Sequence, residues 1–165
     1  MKILAIVLFY LLYWGICYLG TGTDKKNMAS FRAYPNAVQK AVKNRPELTP
    51  MIPKESAAWK VWAGNLMLFT AVFSVAGLLS RNAFALTSYA AAFKYLLALG
   101  EGLGLFDLVV VDLLWWRHTE RTRFSFLKEE APYQEPKKHV QAFLRGIPMF
   151  AAAAAAAAGI VTLTL

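Results

Sequence analysis

The sequence predicts an all-α, polytopic integral membrane protein, a four-transmembrane-helix bundle with short interfacial helices. Three observations lead there. Apolar residues make up 58% of the 165 residues, above the ~45–50% usual for soluble domains, and they cluster in runs too long for a soluble core. The net charge of +8 is spread over the segments between those runs. That is the distribution membrane insertion and anionic headgroups favour, and it speaks against a nucleic-acid partner. Finally, GEGLGLFDLVVVDLLWW, from Gly100 to Trp116, is apolar enough for a bilayer yet carries Glu101, Asp107 and Asp112.

The first run, Ile3 to Leu19, is ~26 Å long as a helix, just enough to span. A secretory signal is the rival reading. Gly20-Thr21-Gly22 is a poor cleavage site, and Ile16 before Cys17 spoils a lipoprotein site, so a retained span is expected. Tyr10, Tyr13, Trp14 and Cys17 recur at spacings of three and four, which gives one face a set of polar tips. Packing and interfacial anchoring account for that face. Cys17, the single cysteine, excludes an intramolecular disulfide and a cysteine-based zinc site.

Residues 21–56 are polar and basic. Within them Pro35 to Asn44 reads as a short helix, opened by Pro35 and stopped by Pro46. Ala37, Val38, Ala41 and Val42 form a narrow apolar stripe with Lys40 and Lys43 beside it, the pattern of a helix lying on headgroups. The second span covers about 57–79, with Lys60 near its entry and Asn65, Thr70 and Ser74 deeper in. Ser80-Arg81-Asn82 reads as a turn.

Ala83 to Trp116 is too long for one crossing and barely long enough for two. Charge decides between these. With four spans, 21–56 and 117–139 fall on one side with seven and six Lys/Arg, against Lys2 and Arg81 on the other. The positive-inside rule then puts both termini outside and both long loops in the cytoplasm. The third span becomes about 95–116. Residues 83–94 then form an outer stretch, and a break at Gly100–Gly104 is the alternative.

In the second loop, 117–146, Phe124, Phe126 and Tyr133 read as docking points. Pro136 can open a helix, and Pro148 can kink the entry to the last span, about 147–165. That span holds eight consecutive alanines, Ala151 to Ala158. So smooth a helix allows close approach to a neighbour, within the chain, across a homo-oligomer or onto a partner membrane protein. The whole chain reads as one membrane domain.

An acid at bilayer depth costs at least ~2.5–3.5 kcal/mol on insertion scales, so the three acids need partners, protonation or water. On an α-helix Glu101 and Asp112 share a face ~16 Å apart, and Asp107 points about a third of a turn away. Depth along the spans puts Asp112 level with Lys60 and close to Arg145. Asp107 falls level with Asn65 and Tyr10, and Glu101 near Thr70, Ser74 and Thr162. The structural reading makes Asp112 with Lys60 or Arg145 a buried ion pair setting register, and Asp107 hydrogen-bonded glue. The functional reading makes Asp107, Glu101 and Asp112 a proton, ion or substrate site, with Asn65 and Tyr10 beside it. Gly100, Gly102 and Gly104 read first as packing. His118, Glu120 and His139, with Asp112 above them, are the one cytoplasmic-face set resembling a metal site, yet they match no metal-ligand spacing and read as solvated loop residues. No phosphate loop or nucleophile elbow is present, and no cofactor is called for.

Three function classes follow. The first is a proton- or cation-linked transport or permeation component. The second is an accessory or scaffold subunit of a larger membrane complex. The third is an interfacial enzyme acting on a lipid-linked substrate with acids and histidines near Asp112 and His118.

Overall fold

The computed structural model describes residues 2–164, with side chains from Ile3 to Thr164. Over these residues the chain is all-helical, without a strand; Phe124 and Leu127 form an isolated bridge. Its helices are α1 (Lys2–Leu19), α2 (Asp24–Ala29), α3 (Asn36–Lys43), α4 (Ala58–Phe84), α5 (Tyr89–Phe106) and α6 (Lys137–Leu163). A π-helical stretch, Asp107–Trp116, follows α5 directly. Two helices, α4 and the one ending at Leu163, are long and apolar enough to cross a membrane; Ile3–Leu19 is a shorter apolar helix. The chain divides into two compact units.

The first unit gathers 2–8, 56–105 and 144–164. In it α4 runs through Ser80-Arg81-Asn82, where the sequence suggests a turn, and ends at Ala85 in a left-handed conformation (φ 52°). The polar residues stay helical because they have partners. Arg81 donates to the Thr164 carbonyl at 3.0 Å, and the Tyr95 hydroxyl donates to Ser80 at 2.9 Å. The turn falls after Ala85, and α5 begins at Tyr89, so little of 83–94 is left as a separate outer stretch.

Small residues let these helices close up. A Cβ on Gly100 would stand 2.7 Å from Phe73 Cζ and 3.3 Å from Phe150 Cβ. One on Gly77 would meet Val161 Cγ2 at 2.7 Å. Phe69, Phe73 and Phe150 form a ring cluster beside Gly100. The alanine run turns Ala153, Ala154, Ala157 and Ala158 into this interior, fully buried. Its smooth face is therefore used within the chain, while Ala156 and Ile160 face outward.

The second unit gathers Phe9–Glu55 and Phe106–Phe143. Its core holds Met28, Phe31, Tyr34, Val38, Val42, Trp116, Phe124 and Tyr133, all buried. Val38 and Val42 of the α3 stripe are thus covered by protein rather than by headgroups, while Ala37 stays exposed. Burying Val38 and Val42 takes far more apolar surface from water than laying them on an interface. Phe124 and Tyr133 are likewise interior residues rather than docking points. The Phe124 N–H donates to the Tyr133 hydroxyl, which donates to the Leu127 carbonyl, both at 3.0 Å. Tyr34 donates to the Thr122 carbonyl at 2.6 Å, and Asn27 donates to the carbonyls of Arg121 and Arg123. Buried polar groups so matched hold an irregular loop to one conformation.

Candidate functional site

The site lies in the second unit and is built on the π-helical stretch. An α-helix would set residues five apart about 140° from each other. A π-helix closes its hydrogen bonds at i→i+5, so residues five apart come nearly into line. The side chains follow that period. Val109 and Leu114 are both exposed, and Val111 and Trp116 are both buried. Asp107 and Asp112 therefore share a face, which corrects the α-helical expectation of a third of a turn between them. Asp107 lies within electrostatic reach of both Asp112 and His139.

Each acid has one defined partner. The Tyr13 hydroxyl donates to Asp107 Oδ1 at 2.9 Å. His139 Nδ1 meets Asp112 Oδ2 at 2.9 Å, with the imidazole side chain only 5% exposed. The indole of Trp116 stands edge-on to that imidazole, ring centres 4.9 Å apart. With Nδ1 held by Asp112, Nε2 points into the interior and has no hydrogen-bond partner among the described residues. Cys17, one turn beyond Tyr13 on α1, is within electrostatic reach of both acids.

The polar-tipped face of α1 is what meets this stretch. Tyr10 stacks on Phe106 at 5.4 Å, Tyr13 bonds Asp107, and Trp14 and Tyr18 pack on Trp115. Of the residues the sequence singled out, Asp107, Asp112 and Tyr10 come together here. His139 joins them from the start of α6, a buried residue where the sequence suggested a solvated one. The sequence sets Asp112 above His139 only within a group that fits no metal-ligand spacing, and no local spacing marks the two as a pair.

The other candidates belong to the first unit. Asn65 is exposed on α4, and Lys60 holds its ammonium 5.6 Å from the ring centre of Trp59. Arg145 is exposed on α6. Glu101 is partly buried, and its Oε1 has no hydrogen-bond partner among the described residues. The hydroxyls expected near it bond their own helices instead, Ser74 to the Thr70 carbonyl and Thr162 to the Ala158 carbonyl. Such back-bonding satisfies a hydroxyl locally and removes it as a partner for the acid.

Below the π-helical stretch in sequence, His118 pairs with Glu130 at 2.9 Å, and Arg123 reaches the other oxygen of Glu130 at 3.1 Å. The hydrogen bond from His118, with the charge of Arg123, holds the Glu130 carboxyl below its usual range. Burial pushes the Tyr34 and Tyr133 hydroxyls up. No three His, Cys, Asp or Glu among the described residues are grouped to hold a metal ion.

The arrangement defines a class: over the described residues, an all-helical protein with two helices long and apolar enough to cross a membrane and two acids, Asp107 and Asp112, on one face of a π-helix. In comparisons with protein families, curated proteins and solved structures, nothing matches this chain.

Proposed function

We propose that this chain is a four-span membrane protein working as a proton- or cation-linked transport or permeation component. Both termini lie outside and the two long basic loops in the cytoplasm. The lipid-facing character is supported by α1 and α4. Ile3, Leu4, Leu8, Leu12, Ile16 and Leu19 on α1, and Met67, Leu68, Val75 and Leu79 on α4, are all exposed. Exposed apolar surface so extended marks a membrane or partner contact.

The single observation carrying the reading is the alignment of Asp107 and Asp112 on one π-helical face, flanked by Tyr13 and His139. Two carboxylates, each with one defined partner, stand along that face, and acids at bilayer depth are kept where protons or cations are handled. In this scheme Tyr13 positions the Asp107 carboxylate. Asp112 orients the imidazole so that Nε2 presents a lone pair, the acceptor of the incoming proton.

The test is proton flux into vesicles reconstituted with the purified chain, followed by an enclosed pH dye. Asp107→Asn should reduce flux at least about tenfold, the loss of one obligatory carrier. Flux equal to wild type would remove the proposal.

A second reading has its own observation. A buried imidazole oriented by a carboxylate, with Nε2 unpartnered, is also the arrangement of a general base. An interfacial enzyme would use His139 on a lipid-linked substrate. In that case His139→Gln abolishes turnover in lipid vesicles while Asp107→Asn leaves it standing.

A further inference from the structure

A second place in the same unit has the makings of a ligand site. Beside the end of α1 and the loop at 120–128 lies a half-open cavity of about 590 Å³, within the ~300–1,000 Å³ range of small-molecule sites. Arg121, Arg123 and Lys128 line it, together with Asp24, Glu120 and Ser125. Three cations thus face two carboxylates.

One acid, Asp24, is already engaged, as is one cation, Arg123, by Glu130. Both Asp24 carboxylate oxygens are taken by Ser125, one by its N–H at 2.8 Å and one by its hydroxyl at 2.6 Å. The two guanidiniums are held in place. Arg121 stacks its guanidinium on Tyr18, 3.8 Å from the ring centre, and donates to the Tyr18 and Thr21 carbonyls at 3.2 Å. That position requires a glycine at 22. Gly22 sits at φ +102°, and a Cβ there would stand 2.7 Å from Arg121 Nη2. Arg123 is fixed by the carbonyls of Lys128 and His118 and by Glu130. The Lys128 side chain is exposed and has no partner among the described residues. Two guanidiniums immobilised before any ligand arrives, with an exposed ammonium beside them, suit a tetrahedral oxyanion. The ordering entropy of the two forks is already spent in folding.

The geometry points to a phosphate-binding pocket, formed by Arg121, Arg123 and Lys128, that takes the phosphate of an anionic lipid headgroup or a free phosphate group. The lipid source rests on the membrane reading, since Tyr18, on which Arg121 stacks, packs with Trp14 and Trp115, residue types that collect at headgroup level. The pocket itself does not depend on that reading, nor on Asp107.

Two arms separate the sources, both on the full chain. In one, inorganic phosphate is titrated against chloride at matched ionic strength in a non-ionic detergent, and thermal stabilisation is read. In the other, retention of phosphatidylglycerol or phosphatidic acid over phosphatidylcholine is read by mass spectrometry after release from nanodiscs. Lys128→Gln, at an exposed position, and Arg123→Gln should each weaken the response roughly tenfold, the loss of one charge-assisted contact. A phosphate response sensitive to both variants assigns a soluble ligand; selective lipid retention sensitive to them assigns a headgroup. If Arg123→Gln does not fold, Lys128→Gln decides alone. No response in either arm, or a response that Lys128→Gln leaves unchanged, overturns the site. A failure of proton flux with this binding intact would leave the pocket standing, so the two proposals fail separately.

Discussion

Asp107 and Asp112, five residues apart, stand on one face of a helix because the segment between Asp107 and Trp116 is π-wound. Runs of π-helix are rare and occur mostly as single-turn bulges, frequently at functional sites. Here ten residues keep the pattern. The two acids and their partners should consequently behave as one group. In a double-mutant cycle, Asp107→Asn and Asp112→Asn are expected to couple by about 0.5–3 kcal/mol in thermal stability. Additive effects would place the acids apart and return the segment to α-helical register.

Tyr13→Phe removes the hydroxyl that donates to Asp107 Oδ1 and leaves the ring packing in place. It should destabilise the chain by about 1–3 kcal/mol, the range for stranding one partner of a partly buried hydrogen bond. Thermal unfolding in detergent measures it. The same change at Tyr89, an exposed residue, is the matched control and should be near neutral.

Two glycines in long helices should respond with opposite sign. Gly100→Ala drives a methyl against Phe73 and Phe150 and should cost about 1–3 kcal/mol. Gly64, on α4, has nothing within 4 Å of an added Cβ. Alanine there should gain up to about 1 kcal/mol from helix propensity. Equal effects at the two positions would contradict the helix packing in this unit.

The exposed network around Glu130 predicts an acid limb in stability. Its folded-state value is depressed, first by the hydrogen bond from His118. A depressed carboxyl contributes stability that is fully present above its unfolded value of 4.5. That contribution is lost as pH falls through the lower, folded value. Melting temperature should therefore fall on acidification below about 4.5, and His118→Gln should flatten that slope. An unchanged slope in the variant would show that His118 does not set the Glu130 value.

Much of this was legible in the residues. The apolar runs mark the long helices. Proline brackets α3, observed from Asn36 to Lys43. The three-and-four spacing of Tyr10, Tyr13, Trp14 and Cys17 marks the face of α1 that meets the acids. What stayed hidden depends on partners distant in sequence. The π register cannot be read from a pattern assumed to repeat every 3.6 residues. His139 is polar and sits in a charged segment, so its burial follows only from Asp112 and Trp116 closing on it. The core residues Val38, Val42, Phe124 and Tyr133 are separated by lysines, arginines and glutamates, which dilute the apolar signal below what an amphipathic stripe announces. Phe124→Ala should cost about 3–5 kcal/mol, as for a fully enclosed phenylalanine.

The ties between α2 and the loop at 121–125 have a consequence for how the chain assembles. Asn27 finds the Arg121 carbonyl 94 residues later, and Asp24 finds Ser125 101 residues later. Asp24 and Asn27 thus leave the ribosome with these partners not yet synthesised. Closing such long loops is slow compared with forming a local helix. The segment around Asp24 and Asn27 is therefore made long before it can reach its native state.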